Sequence, residues 1–288
     1  MNSKAIKRQL LAAIAMVLVA AIALGSSTYA WFVGNNTVTA QGMKVQAQAE
    51  SGILIKSVEN ASDKFSTVAN ANMGSAQKLY PVSTIDLSNW YHAVSDTYAD
   101  AKAQQTTTGA YELKESGLES YFVKKTFIIR SADAANPVNN VDLAVTTVSV
   151  SNDQDQNTTE NLDKAIRIGV KVTGESDFYI YAPRYTLQSG ETAFTLHAVY
   201  AKKDTETAVP TLDEKLAPDS TNGDRIKLTN KNHQIPNNDQ GIVAEVYIWY
   251  EGEDPECKSS NLPLDSTTQI DKLSVSVSFK TVEKTKTT

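Results

Sequence analysis

The sequence lacks the residues on which disulfide-bonded domains and most enzymes depend. Its 288 residues contain a single cysteine, Cys257, so no disulfide can form within the chain. The three histidines, His92, His197 and His233, lie far apart, and none belongs to a His-Glu-x-x-His zinc motif. The chain has no Gly-x-Ser-x-Gly nucleophile elbow and no phosphate-binding glycine loop. We therefore expect a protein that is not an enzyme.

Positive charge is also scarce. The formal net charge is −6, and it falls to −9 without the three N-terminal cations Lys4, Lys7 and Arg8. Binding to nucleic acid requires a basic surface that displaces counterions, so we expect no nucleic-acid partner. The acidic body should not bind anionic membranes either.

The N-terminus has the three parts of a secretory signal. The basic residues are followed by an apolar run over residues 10–24, which is too short to span a bilayer as a stable helix. Gly25-Ser26-Ser27 ends the run, and Thr28 and Ala30 place small residues at positions −3 and −1 of a signal-peptidase site. We expect an exported protein; the alternative, an uncleaved leader, would be its only link to the membrane.

The residues around this site resemble a known family. Residues 25–32 (GSSTYAWF), Asn35-Asn36-Thr37-Val38 and Gly42-Met43-Lys44-Val45 are similar to the leader of the TasA/camelysin family over about the first 50 residues. That family usually has Phe after the site, often with Asp nearby. Here Trp31 and Phe32 follow Ala30, so cleavage before or after Trp31 stays open.

The resemblance implies processing by a SipW-type signal peptidase and a secreted Gram-positive matrix protein. It implies a pilus-like filament of an extracellular biofilm, built head-to-tail from copies of the chain. Donor-strand complementation would supply the contact, because a strand given to a neighbour makes an open-ended assembly. The candidate donor strand lies within residues 36–48 and includes Val38, Ala40, Gly42, Met43, Val45 and Ala47.

The rest of the chain alternates apolar and polar residues, which is typical of strands with one wet face. We predict an all-β fold with minor helix: an antiparallel, jelly-roll-like β-sandwich preceded by an N-terminal apolar signal helix. Residues 1–30 form the signal peptide, 31–48 the arm and donor strand, and 49–288 a single sandwich domain. Gly42 and Thr146-Thr147 mark phase shifts typical of β-bulges, and residues 89–104 have helical spacing. The predicted strands cover residues 53–55, 121–130, 141–150, 165–173, 178–181, 194–200, 225–229, 242–250 and 273–279.

An acidic cluster follows the strand at residues 242–250. Glu251, Glu253, Asp254 and Glu256 could together hold Ca²⁺, which takes six to eight oxygen ligands. The alternative is a solvated acidic loop. No other cofactor is expected. The same carboxylates would raise the pKa of the Cys257 thiol, which we expect to be half-exposed and unoxidised, with an intermolecular disulfide as the alternative.

Aromatic residues offer a second functional class. Tyr179, Tyr181, Tyr247 and Trp249 occupy the phase of their strands opposite the apolar face. Exposed aromatic rings on a sheet would suit a monomeric cell-surface adhesin or a glycan-binding jelly-roll module. Alternatively, the irregular region at residues 61–109 covers them as a second apolar layer.

Overall fold

The computed structural model of the chain contains two compact units, Met1–Asn36 and Thr37–Thr288, and the strands lie in the second. No helix among the described residues has the length and apolar character needed to cross a membrane. The structure describes Met16 and residues 38–40, 44–50, 52–60, 62–72, 77–92, 118–152, 162–185, 214–252, 254, 256–257 and 273–284. The predicted signal helix, apart from Met16, and the predicted strand at 194–200 lie outside these ranges.

The second unit is an all-β sandwich. Its described strands are β1 Val38–Ala40, β2 Lys44–Ala49, β3 Ile53–Ser57, β4 Val68–Asn72, β5 Gln77–Leu79, β6 Val82–Ser83, β7 Tyr91–His92, β8 Phe122–Ser131, β9 Val141–Asn152, β10 Ile166–Val172, β11 Phe178–Tyr181, β12 Asp224–Ile226, β13 Ile242–Tyr250 and β14 Leu273–Glu283. The described helical structure is two short 3-10 turns, at Leu118–Ser120 and Leu162–Ala165, besides helical Met16.

Two five-stranded sheets face each other across one core. The first has the order β11-β10-β13-β8-β3, and the second the order β12-β9-β14-β2-β4. Strand pairs β1-β5 and β6-β7 form two small additional sheets. Pairing is antiparallel between all described strands except β2 and β14, which are parallel. The predicted antiparallel sandwich is thus confirmed as a fold class, with one parallel pair that the alternation could not predict.

The core follows from the alternation. In β10, Ile166, Ile168, Val170 and Val172 are at most 2% exposed and face the second sheet. In β14, Val275, Val277 and Phe279 do the same from the opposite side. Burial of such side chains contributes roughly 25 cal/mol per Å² of apolar surface, so the shared face stabilises both sheets at once.

The bulge predicted at Thr146-Thr147 is confirmed. Ser278 pairs with Thr147, but the next residue, Phe279, pairs with Val145, so Thr146 is the extra residue of β9. The Thr146 hydroxyl donates to the Ser278 carbonyl at 3.3 Å. A bulge restores the phase of the apolar residues, and both Val145 and Val148 therefore face the core.

A second apolar layer covers the outer face of the first sheet. In it Val82, Leu87 and Trp90 pack against the sheet residues Ile180, Tyr247 and Trp249, and all six are buried. The helix predicted for residues 89–104 is wrong at its start, because Tyr91–His92 pairs with Val82–Ser83 as β7. The spacing of Trp90 indicated an apolar contact, and that contact is the stack on Phe122, with ring centroids 4.1 Å apart. Residues 93–104 lie outside the described residues.

Gly169 makes the close approach of this layer possible. A Cβ atom at Gly169 would lie 2.4 Å from Cδ2 of Leu87. Leu87 is itself held in the left-handed region, with φ of 56°, by a hydrogen bond from its N–H to the Thr84 hydroxyl. Lys171 donates to the Leu87 carbonyl at 3.3 Å. These bonds fix the main chain of Leu87, and its side chain is 2% exposed among packed neighbours, so a Cβ atom at Gly169 would have to displace buried atoms.

We expect Gly169→Ala to lower the free energy of unfolding by about 1–3 kcal/mol, the usual cost of overpacking. Leu87→Ala should also destabilise by leaving a cavity. The double variant should lose less unfolding free energy than the sum of the two single losses, because the truncated Leu87 side chain makes room for the new methyl group. Urea unfolding measures all three. Gly169→Ala combined with Val150→Ala, in the opposite sheet, is the control and should be additive.

Candidate functional site: the N-terminal strand and the buried charge cluster

The segment predicted as a donor strand occupies the interior of its own sheet. Strand β2 lies between β14, with which it pairs in parallel, and β4, with which it pairs antiparallel. Val45 is opposite Val275 on one side and Ala71 on the other. Both hydrogen-bonding edges of β2 are therefore used within one chain.

The apolar side chains of β2 belong to the main core. Val45 and Ala47 are fully buried, and Ala49 is 6% exposed. The opposite face of the strand carries Lys44, Gln46 and Gln48, which are at least partly exposed. Residues 38–40 form a separate strand, β1, which pairs with Gln77–Leu79 in another sheet. The predicted segment thus contains two strands, β1 and β2, which belong to different sheets.

The remaining N-terminal predictions fall outside the described residues. These are the processing residues Thr28, Ala30 and Trp31, and the candidate donor-strand residues Gly42 and Met43, with the bulge predicted at Gly42. Val38 and Ala40 are described as strand backbone. The described core of the candidate donor strand is therefore Val45 and Ala47, together with Ala49 just beyond it.

Strand β4, the antiparallel partner of β2, was not predicted from the sequence. Ala69 and Ala71 of β4 are buried, whereas Val68 and Asn70 are exposed. The alternation of alanine and asparagine in Val68–Asn72 was the available pattern. Alanine buries little area, so the apolar periodicity of this strand is weak.

The predicted calcium residues take different positions. Glu251 and Asp254 are buried, at 1% and 0% exposure, and Glu256 is half-buried; Glu253 is not described. Among the described residues no group of three or more His, Cys, Asp or Glu side chains could hold a metal ion. The alternative of a solvated loop is wrong for Glu251 and Asp254, because both face an arginine.

That arginine is Arg167 of β10, which is fully buried. Its Nε donates to Glu214 at 2.7 Å, and its Nη2 donates to Asp254 at 2.6 Å. Its Nη1 donates to the carbonyls of Lys164 and Ile166. The sequence placed Arg167 on a wet face. Its guanidinium group is buried because Glu214, Asp254 and the Tyr185 ring lie against it, which the strand pattern of β10 alone does not reveal.

Glu251 completes a cluster of three carboxylates around one guanidinium group. The Trp249 indole donates to Glu251 at 3.1 Å, and the main chain of Glu251 bridges to Val82 of the covering layer. Glu251 N also donates to the Ala165 carbonyl at 2.8 Å. The cluster therefore ties β10, the end of β13, the segment at residue 214 and the outer layer together.

The charges of this cluster do not balance if every group is ionised. Burial raises the pKa of Glu251 to about 8, and the Glu214 carboxylate adds to that rise. Burial also raises the pKa of Asp254, although Arg167 opposes the effect. Burial alone would lower the pKa of Arg167, but the surrounding carboxylates outweigh it and raise that pKa above its usual value. Burial and the neighbouring Glu214 carboxylate therefore favour the protonated form of the Glu251 carboxyl.

The aromatic residues of the glycan-binding alternative are covered. Trp249 is fully buried and Tyr247 is 5% exposed, under Trp90. The expected phase of Tyr179 and Tyr181 is wrong. They pair with Val170 and Ile168, and residues directly opposite each other share a face, so both tyrosines point to the main core.

Cys257 is buried at 1% exposure rather than half-exposed. Its N–H donates to the Asp254 carbonyl at 2.8 Å, so it lies in the turn that holds the charge cluster. A buried thiol is poorly placed to form an intermolecular disulfide.

No protein-family model, curated protein or solved structure matches this chain. Its function is therefore inferred from the residues and their geometry.

The buried cluster predicts that stability falls as pH rises. A carboxyl whose folded-state pKa is above its unfolded value, about 4.3 for Glu, stabilises fully below the unfolded value. That contribution is lost as the pH rises toward about 8, where Glu251 ionises in the folded protein. One retained proton changes the unfolding equilibrium by up to about tenfold per pH unit.

We expect Glu251→Gln, which keeps the shape without the charge, to flatten the profile of unfolding free energy between about pH 5 and pH 8. Urea titrations at each pH measure it, with Glu50→Gln at an exposed position as the control. Parallel profiles for Glu251→Gln and the unaltered chain would contradict the assignment of the proton to Glu251.

Proposed function

We propose that this chain is a secreted structural protein that assembles head-to-tail into extracellular fibres by exchanging its N-terminal strand. The observation that carries the proposal is the position of β2. It is the first strand of the second sheet in the chain, yet it fills an interior place between β14 and β4. If the leader is removed, β2 lies near a free chain end, so it can leave its place without threading.

Release of β2 would leave a site that only a similar strand can fill. Val45, Ala47 and Ala49 would leave a groove in the core, and the facing edges of β14 and β4 would lose their main-chain partners. Unpaired main-chain groups in a buried position cost about as much as lost hydrogen bonds. The groove is therefore selective for a strand with small apolar residues at every second position.

The same strand from a neighbouring copy meets that requirement. Exchange replaces each contact by an identical one, so its net cost is small apart from association itself. Because the donor and the groove are different surfaces, the contact is heterologous, and repetition yields an open filament. The leader sequence and its resemblance to the TasA/camelysin family support the same class of function.

A cysteine pair across β2 and β4 tests the exchange. Ala49 N donates to Thr67 O at 2.8 Å, so these two residues form a hydrogen-bonded pair. By alternation, Gln46 and Asn70 form a non-hydrogen-bonded pair, with Cα atoms about 4.5 Å apart, close enough for a disulfide. Their side chains already touch on the solvent face, at 3.2 Å.

We expect the variant Gln46→Cys/Asn70→Cys to respond to the order of treatment. Oxidation before assembly should close the bond within one chain and abolish fibres in electron micrographs. Oxidation after assembly should join successive subunits, which a non-reducing gel would display as a ladder.

The matched control is Ser149→Cys/Ser276→Cys, a pair between β9 and β14 that is not exchanged. It should give bonds within single chains in both orders of treatment. Fibres that form from fully oxidised Gln46→Cys/Asn70→Cys protein, or a chain that forms no fibres under any condition, would overturn the proposal.

A further inference from the structure

We propose that the outer edge of β4 is a self-association site, at which Val68–Asn72 of one copy pairs antiparallel with the same strand of a second copy, centred on Asn70. This contact goes beyond strand exchange. It leaves β2 in place and joins two copies, or two filaments, side by side.

The main-chain geometry of β4 leaves one edge for a partner. Thr67 accepts a hydrogen bond from β2, so residues 67, 69 and 71 direct their main-chain groups toward β2. Residues 66, 68 and 70 direct theirs to the other side. Ser66 uses them in a reciprocal pair with Ile55, at 2.8 and 3.0 Å. For Val68 and Asn70 no pairing residue lies on that side within the described part of the chain.

The other sheet edges are covered or short. The edge of β11 is bridged by Lys215, which exchanges hydrogen bonds with Ile180 and Ala182. The edge of β3 is bridged at Ile55 by Ser66. Strand β12 has three residues, and Arg225 in it forms an ion pair with Asp142. These are the devices by which proteins prevent pairing at sheet edges, and the described edge of β4 beyond Ser66 carries none of them.

The sequence of β4 also lacks the residues that prevent pairing at a sheet edge. Residues 66–72 (STVANAN) contain no charge, proline or glycine. Val68 is 36% exposed, an apolar residue beside the open main-chain groups. Neutral strands without these residues pair readily with other strands.

A second copy of this strand fits the edge better than an unrelated one. In an antiparallel pair centred on Asn70, that residue faces its own counterpart, Ala69 faces Ala71, and Val68 faces Asn72. The small residues thus meet each other on the core side. No charge is available to select a partner of opposite sign, so the match comes from the strand itself. The arrangement is two-fold symmetric, the commonest symmetry of protein dimers.

A chain of side-chain amides on the solvent face ends at this edge. Gln48 Nε2 donates to Gln46 Oε1 at 3.0 Å, and Gln46 Nε2 donates to Asn70 Oδ1 at 3.2 Å. Asn70 Nδ2 has no acceptor among the described residues. Across a two-fold axis at Asn70, the two asparagine side chains would donate to each other and join the two amide chains into one ladder.

The first test is a single added cysteine in the full-length chain. In the proposed dimer, Asn70→Cys places two thiols on directly opposite residues, about 5.5 Å apart at Cα, within disulfide range. We expect mild oxidation to give a linked dimer, with the bond between the two introduced thiols identified by mass spectrometry. Thr147→Cys is the matched control: it is exposed on the same sheet, but on β9, separated from β4 by β14 and β2. Equal linkage of the two variants would overturn the proposal.

The second test does not depend on a covalent bond. Asn70→Lys would place two like charges directly opposite each other, so we expect dimer dissociation to become about tenfold easier or more in sedimentation velocity. Thr147→Lys adds the same charge elsewhere and should behave like the unaltered chain. Circular dichroism and urea unfolding confirm that both variants are folded. A folded Asn70→Lys variant that associates as strongly as Thr147→Lys would overturn the proposal.

The outcomes of these experiments distinguish strand exchange from the edge contact. Dimers through β4 without fibres would contradict strand exchange and support the edge contact. Fibres that stay single, with no linkage between copies of the Asn70→Cys variant, would support strand exchange and overturn the edge contact.

Discussion

A strand in the middle of a sheet must satisfy main-chain groups on both of its edges, and β2 is the strand on which this constraint falls most heavily. It supplies partners to β14 and β4, and its small side chains close the core beneath them. Without it β4 would be separated from the rest of the second sheet, β12-β9-β14. Strand β2 is therefore a strand on which the integrity of the second sheet depends.

The outer layer of the first sheet depends on a different interaction. Arg167 pairs with both Glu214 and Asp254, and Glu251 accepts a hydrogen bond from the Trp249 indole. A buried ion pair contributes little net stability once desolvation is counted, but removal of one partner is costly because the other stays buried and charged. The cluster is therefore better understood as a device that fixes how residues 82–92 sit on the sheet than as a source of stability.

The sequence predicted those features that depend on local periodicity. The bounds of β11 and β13 follow from their runs of aromatic and β-branched residues, and the bulge in β9 follows from the shift in its alternation. Features that depend on what covers a strand were missed. Arg167 and Trp249 occupy the phase that was expected to be wet, but Glu214 and Asp254 lie against Arg167, and Trp90 lies against Trp249. The pairing of β2 with β14 could not be predicted either. The two strands lie more than 220 positions apart, and no local pattern indicates which strands pair or in which register.

The parallel contact of β2 with β14 has a consequence for the time course of folding. These strands come from the two ends of the sandwich sequence, so their pairing has nearly the largest sequence separation that the chain allows. Contacts of that kind form late, since the loop between them must be closed first. During synthesis β2 is therefore made early, but its pairing with β14 is among the last contacts to form. Throughout that interval the edges of β2 are unpaired, so the proposed strand exchange would be most probable in newly made protein.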